Sequence, residues 1–396
     1  MIAGWALAAA AAELVVGEHA PTVQEAVALA ALHDTVVLPP GEWSGPVRLT
    51  RAITLTSRGG VLVGGQGSTV VIEGPGVTID RLTVRGSGDE LRGPDACIWV
   101  GPEGKGTRIV DSTLSDCLFG VWLHEVVGAR VSGNRVEGRA DARPSDKGNG
   151  IHLFDSAELE VSDNVVVGAR DGIYVSATED SVIRGNDVSH QRYGIHYMFS
   201  YDNVIEDNVA NHNSGGLALM ESHGLTVRGN HAAYNQRQGI LFRDVQYTEI
   251  VGNTVAHNAE GLFFFSSLDN HIVGNVLRNN QVGAKIWAGT ERNVVTDNAF
   301  IANRQQVFYA WTEDQHWEHN YWSDYLGWDQ DADGFGDRPY RADAFLSQLL
   351  HRFPQAVLLM SSPTLELLGA LQERLPGLRL ATVVDDQPLV SRPEGS

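Results

Sequence analysis

From Gly120 onward the chain repeats one hydrophobic pattern every 22 or 23 residues, once an eight-residue polar insert around "RADARPSDKG" is set aside. A glycine column runs through Gly120, Gly150, Gly172, Gly194, Gly216, Gly239 and Gly261. One residue after each stands Val121, Ile151, Ile173, Ile195, Leu217, Ile240 or Leu262. Three residues after each stands Leu123, Leu153, Val175, Tyr197, Leu219, Phe242 or Phe264. A second column, Asn134, Asn164, Asn186, Asn208, Asn230, Asn253, Asn275, Asn298 and Asn320, has an apolar residue three positions before each asparagine and another two positions after it. Alternation with period two predicts strands with one buried face, and these segments lack the 3.6 period of a helix. Three short strands and an asparagine turn per repeat predict an all-β fold. It is a right-handed, single-stranded parallel β-helix with coils of about 22 residues, in which like stacks on like at ~4.8 Å. The asparagines are expected to form an amide ladder.

The ends depart from the repeat. Residues 1–12, within "MIAGWALAAAAAELVV", have the apolar run and Ala-rich end of an export signal but lack its basic start. "TVQEAVALAAL" reads as a short amphipathic helix that caps the first coil, where an open stack would leave a reactive edge. The β-helix is expected over 13–320, an Asp-rich loop over 321–341, and amphipathic helices over 342–396 that cap the far end or dock to a partner.

Composition narrows the function. The net charge of −20 over 396 residues argues against nucleic acid as a partner, because phosphate binding needs a basic footprint. No run of eighteen apolar residues spans a membrane. The two cysteines fit no metal-finger spacing. They could pair outside the cytoplasm, but Cys117 falls at a turn with Cys97 one coil below, so the sequence leaves the pairing open.

Strand parity places the second and fourth residues after each glycine on the outer face of one sheet. Trp122, His124, Phe154, Tyr174, Phe263, Phe265, Trp287 and Phe308 fall there, with His152, His196, Met198 and Met220. An outer face is ordinarily polar, so this one is a candidate partner surface. The chain has only four methionines, and Met198 and Met220 are one 22-residue coil apart, with His196 two residues before Met198. A further column, His190, His212 and His257, fits a turn-edge ring stack better than a ligand set. Asp329, Asp331, Asp333 and Asp337, with Gly334, occupy positions 1, 3, 5, 9 and 6 of a calcium loop, and position 12 is Tyr340 in place of the bidentate glutamate. A structural Ca2+ is expected there.

"RYGIHYMFSYDN", "ALMESH", "FIANRQQVFYAWT", "NYWSDYLGWDQDADGFGDRPYRA", "HRFPQAVLLMSSP" and "VVDDQPL" resemble the NosD family of periplasmic proteins that mature nitrous oxide reductase. The resemblance runs nearly the length of the chain. It implies a periplasmic β-helix held at the inner membrane by an ABC-type transporter, made of a membrane permease and a cytoplasmic ATPase. It also implies work with a lipoprotein copper chaperone on the copper centres of the reductase. Thioether and imidazole select Cu(I) over calcium or magnesium. With the resemblance, Met198, Met220 and His196 become a transient Cu(I) site, with His152 as an entry point and His190 and His212 as secondary ligands.

The competing class is a carbohydrate-active β-helix enzyme, a polyuronate lyase or epimerase. Glycosidases need paired carboxylates on one groove. The outer positions named above hold neither Asp nor Glu, and the epimerase tetrad Asp-Pro-His-Asp does not occur.

Overall fold

The computed structural model describes residues 11–312, 314–342 and 383–393, with the single positions 353, 355, 362, 363 and 367. Contacts divide the chain into two compact units, Met1–Val188 and Ser189–Ser396. Each is built of short parallel strands in three sheets, the β-helix that the periodicity predicts.

In the first unit the strands Phe119–His124, Ile151–Phe154 and Asp171–Ser176 pair in parallel, Val121 on Ile151 on Ile173. In the second, Tyr193–Met198, Gly215–Met220, Gln238–Arg243 and Glu260–Phe265 do the same, Ile195 on Leu217 on Ile240 on Leu262. These inward residues are fully buried or nearly so. Burial of each contributes roughly 1.5–3 kcal/mol, and this repeated term holds the coils in register. The glycine column follows from close approach: a Cβ on Gly216 would lie 2.4 Å from the carbonyl oxygen of Gly239, and one on Gly261 would lie 2.3 Å from that of Gly283.

The asparagine column is an amide ladder within each unit. Asn164 Oδ1 accepts from both the backbone N–H and the Nδ2 of Asn134, each at 3.0 Å. Asn230, Asn253, Asn275 and Asn298 repeat the motif in the second unit. Gly or Asp stands before nearly every ladder residue because that position is left-handed, as at Asp207 (φ 53) and Gly229 (φ 64). A second ladder, Asn213, Asn235, Asn258, Asn280 and Asn303, lies five residues after the first.

At the N-terminal end the helix Val23–Leu29 buries Val23, Ala26 and Val27, and starts in a capping box between Thr22 and Glu25. Residues 1–10 of the expected export signal lie outside the described residues. Cys97 and Cys117 form a disulfide with their Cα atoms 5.5 Å apart, which settles a pairing that the sequence leaves open. The register shifts between Ser115 and Cys117, and Asp116 is left-handed (φ 56). This bulge re-aims Cys117, an effect that the repeat pattern does not encode.

The far end also differs from expectation. Most of 343–382, where helices are expected, lies outside the described residues. Residues Val383–Asp385, however, form a strand that lies parallel to His316–Glu318 and antiparallel to Tyr340–Ala342. Asp385 takes the next rung of the ladder. Its Oδ2 accepts from Asn320 N at 2.9 Å, Asn320 Nδ2 at 3.0 Å and Trp322 Nε1 at 3.0 Å. A strand is selected here because the last coil's backbone groups and ladder amide need partners that a helix cannot offer.

Candidate metal site

Strand pairing in the second unit sets Met198 directly beside Met220 and His196 beside Ala218. Neighbouring strands lie ~4.8 Å apart, and His196 and Met198 share a face at i and i+2, ~6.6 Å along the strand. Two thioethers and an imidazole thus fall on adjacent positions of one sheet surface. Met220 forms an apolar cluster with Ala218 and Leu241, against which Met198, Tyr193 and Phe263 pack. The surface is less open than parity suggests: His196 and Met220 are each only 6% exposed. Long side chains at this spacing shield one another. The His196 ring stands 5.0 Å from that of Tyr193, and Arg192 Nη2 lies 3.4 Å from its Nδ1.

Further along the same sheet, Lys285 sits among aromatic rings, 4.6 Å from the centroid of Phe263 and 4.9 Å from that of Trp287. Its Nζ contacts Glu260 Oε1 at 2.6 Å, and Gln238 Nε2 donates to Glu260 Oε2 at 2.6 Å. Glu260 escapes the count of outer carboxylates because it opens its strand just before the glycine. Phe308, expected on the partner surface, is buried. Phe263, Phe265 and Trp287 are half-buried, and Trp311, exposed at the next turn, meets Trp287 edge-on at 4.9 Å.

The first unit carries its own aromatic column on the equivalent sheet. His152 stacks on Trp122 at 4.6 Å and meets Tyr174 edge-on at 4.9 Å. His124 packs on Phe154, which is exposed. Burial lowers the pKa of His152 from 6.5 to about 4, with the neighbouring His124 adding to the effect, so the imidazole is neutral near pH 7.

His190, His212, Tyr234 and His257 stack in sequence at 6.0, 5.4 and 4.7 Å, all at left-handed turn positions. Their rings spend their faces on one another, as a turn-edge stack does. Asp329, Asp331 and Asp333 bring carboxylate oxygens within 4.8 Å of one another. Asp331 is raised from its ordinary pKa chiefly by the charge of Asp333. Asp337 turns instead to the Gln330 backbone N–H, 2.7 Å away. The oxygens of the first three suit a hard cation.

A family model described as "Periplasmic copper-binding protein (NosD)" matches residues 127–327, and one described as "Right handed beta helix region" matches 57–180. A Pseudomonas aeruginosa protein named "Probable ABC transporter binding protein NosD" is 38% identical over 89% of this chain and 87% of its own length. The chain belongs to the NosD family. A Stutzerimonas stutzeri protein of the same name is 36% identical over 90% of this chain and 86% of its own length. Among solved structures, a family 28 exopolygalacturonase from Yersinia enterocolitica shares the fold, with a TM-score of 0.56 at 12% identity over 74% of each chain. That likeness extends to the fold alone. Among the described residues, no helix is long and apolar enough to cross a membrane.

Proposed function

We propose that this NosD-family protein is a non-enzymatic periplasmic subunit of an ABC-type transporter complex that handles Cu(I) for the assembly of nitrous oxide reductase. Its cargo site is Met198, Met220 and His196. The observation that carries this reading is the parallel register of Met198 on Met220, with His196 on the same face of the same strand. Neutral soft donors suit Cu(I), and a site without carboxylate or thiolate lets the ion leave again. His152, a neutral imidazole in the first unit, is a secondary station, and His190 and His212 stand behind it. The half-buried aromatics of both units are the surfaces offered to the copper chaperone and the client reductase, and the segment 342–396 docks to the extracytoplasmic side of the transporter's permease. Asp329, Asp331 and Asp333 hold a structural Ca2+, with Asp337 bracing their loop.

The acid–base couple on this surface is spent. Glu260 is engaged by both Lys285 and Gln238, and Lys285 also lies over the Phe263 ring, so each group is committed to its neighbours on the sheet. This supports a binding role over polyuronate chemistry.

Anaerobic Cu(I) titration against a chromophoric competitor tests the reading. Replacing both methionines (Met198→Leu with Met220→Leu) keeps the apolar packing and removes two ligands. Loss of a supporting group around a metal ligand costs up to ~100-fold in affinity, so loss of two ligands is expected to exceed that. Cells carrying the double variant are expected to make copper-deficient reductase while the transporter complex still co-purifies. Unchanged Cu(I) affinity would move the site elsewhere, with His190 and His212 next. Cleavage or epimerisation of a polyuronate would restore the enzyme reading.

A further inference from the structure

Among the described residues, a charged group touches the candidate ligand His196. Arg192 stands immediately before the strand Tyr193–Met198, with its guanidinium carbon 5.0 Å from the Tyr193 ring centroid and Nη2 3.4 Å from His196 Nδ1. A guanidinium has donors and no acceptor, and it stays charged at any physiological pH. The contact therefore uses the Nδ1 lone pair, and the ring N–H then lies on Nε2.

A metal ion also binds imidazole through a lone pair. At Nδ1 it meets the guanidinium already in place. Binding through Nε2 requires the ring proton to move to Nδ1, where it would face another donor. Both routes displace Arg192.

The geometry points to Arg192 as the residue that sets the affinity of the Met198–Met220–His196 site, by competing with the metal for His196. This rests on the Cu(I) reading of that site. The competition is local, since Tyr193, over which the guanidinium lies, itself packs against the Met220 cluster. The displaced cation is thereby kept beside the ion, where like charges repel. Met198 and Met220 can take the metal with Arg192 in place, and His196 joins only when the guanidinium swings away. Return of Arg192 to Nδ1 removes the third ligand and favours release to an acceptor. A carrier gains from such a lever, because three permanent ligands would hold the ion too firmly to pass it on.

The test uses the full chain in anaerobic Cu(I) competition titrations. Arg192→Gln removes the charge and is expected to bind Cu(I) about tenfold more tightly, ~1.4 kcal/mol. Arg192→Lys keeps the charge and is expected to stay within about threefold of the wild type, on the same scale. Nitrogen chemical shifts of His196 give a second readout: the metal-free wild type is expected as the Nε2–H tautomer, and Arg192→Gln as a mixture. In a His196→Ala background the Arg192→Gln effect is expected to vanish. If the wild type binds no better than the double-leucine variant, the site reading itself fails. If the double-leucine variant loses Cu(I) but Arg192→Gln binds as the wild type does, or more weakly, the role of Arg192 alone is overturned.

Discussion

Asp385 offers a direct test of how the β-helix is closed. Its carboxylate is wholly buried, and Oδ2 alone accepts three hydrogen bonds, from Asn320 N, Asn320 Nδ2 and Trp322 Nε1. Asp385→Ala removes that acceptor. Asn320 Nδ2 keeps Val295 O at 2.8 Å and Glu318 O at 3.1 Å, so it is not orphaned. Asn320 N and Trp322 Nε1 are left without the oxygen. An unsatisfied buried donor costs about 1–3 kcal/mol, so the expected loss is about 2–6 kcal/mol, concentrated in the last coil. Asp385→Asn is the informative contrast. It keeps an oxygen at the rung and supplies an NH2 where Oδ1 now has no partner. Elsewhere in the ladder that NH2 donates to the carbonyl two residues back, as Asn298 Nδ2 does to Thr296 O at 2.9 Å. The asparagine variant should therefore stay within about 1 kcal/mol of the wild type. Urea unfolding gives the global figure, and hydrogen exchange at residues 316–322 gives the local one. Equal stability of Asp385→Ala and the wild type, or an asparagine variant as damaged as the alanine one, would refute the rung assignment.

If the Asp329–Asp331–Asp333 cluster binds Ca2+, a chelator should lower the melting temperature, and calcium at 100 times its Kd should restore about 2.7 kcal/mol; an unchanged melting point in excess chelator would sink that assignment. His152 titrates near pH 4 in the folded unit against 6.5 when unfolded, so the unfolded state takes the proton first as pH falls. Stability should be intact above about pH 6.5 and decline by up to about 3 kcal/mol toward pH 4, and His152→Gln should flatten that part of the curve. Ala342 and Val383 are antiparallel partners, so residues 343–382 can be replaced by an Asn-Gly turn without disturbing Asp385. That variant should fold as the wild type does and lose co-purification with the transporter; retained co-purification would place docking elsewhere.

The repeat, the β-helix, the N-terminal cap and the Met198–Met220 column were legible in the sequence, because a 22-residue period with alternation inside it has one physical solution. Each inward residue must meet its like one coil on, so linear spacing becomes spatial adjacency without knowledge of the rest. The second ladder, Asn213 to Asn303, has the same spacing and is equally periodic in the sequence. Glu260 was missed because parity counted from the glycine leaves out the residue that opens the strand. Tertiary structure decided the matters that depend on contacts between unlike segments. A bulge at Asp116, outside the repeat, brings Cys117 to Cys97. Packing along one face buries His196, Met220 and Phe308 where alternation alone points them outward. Asp385 reaches its rung from 65 residues beyond Asn320, and a chain's return over that distance leaves no periodic trace to read. Periodicity records the interactions that each coil makes with its copy, and it is silent about those that occur once.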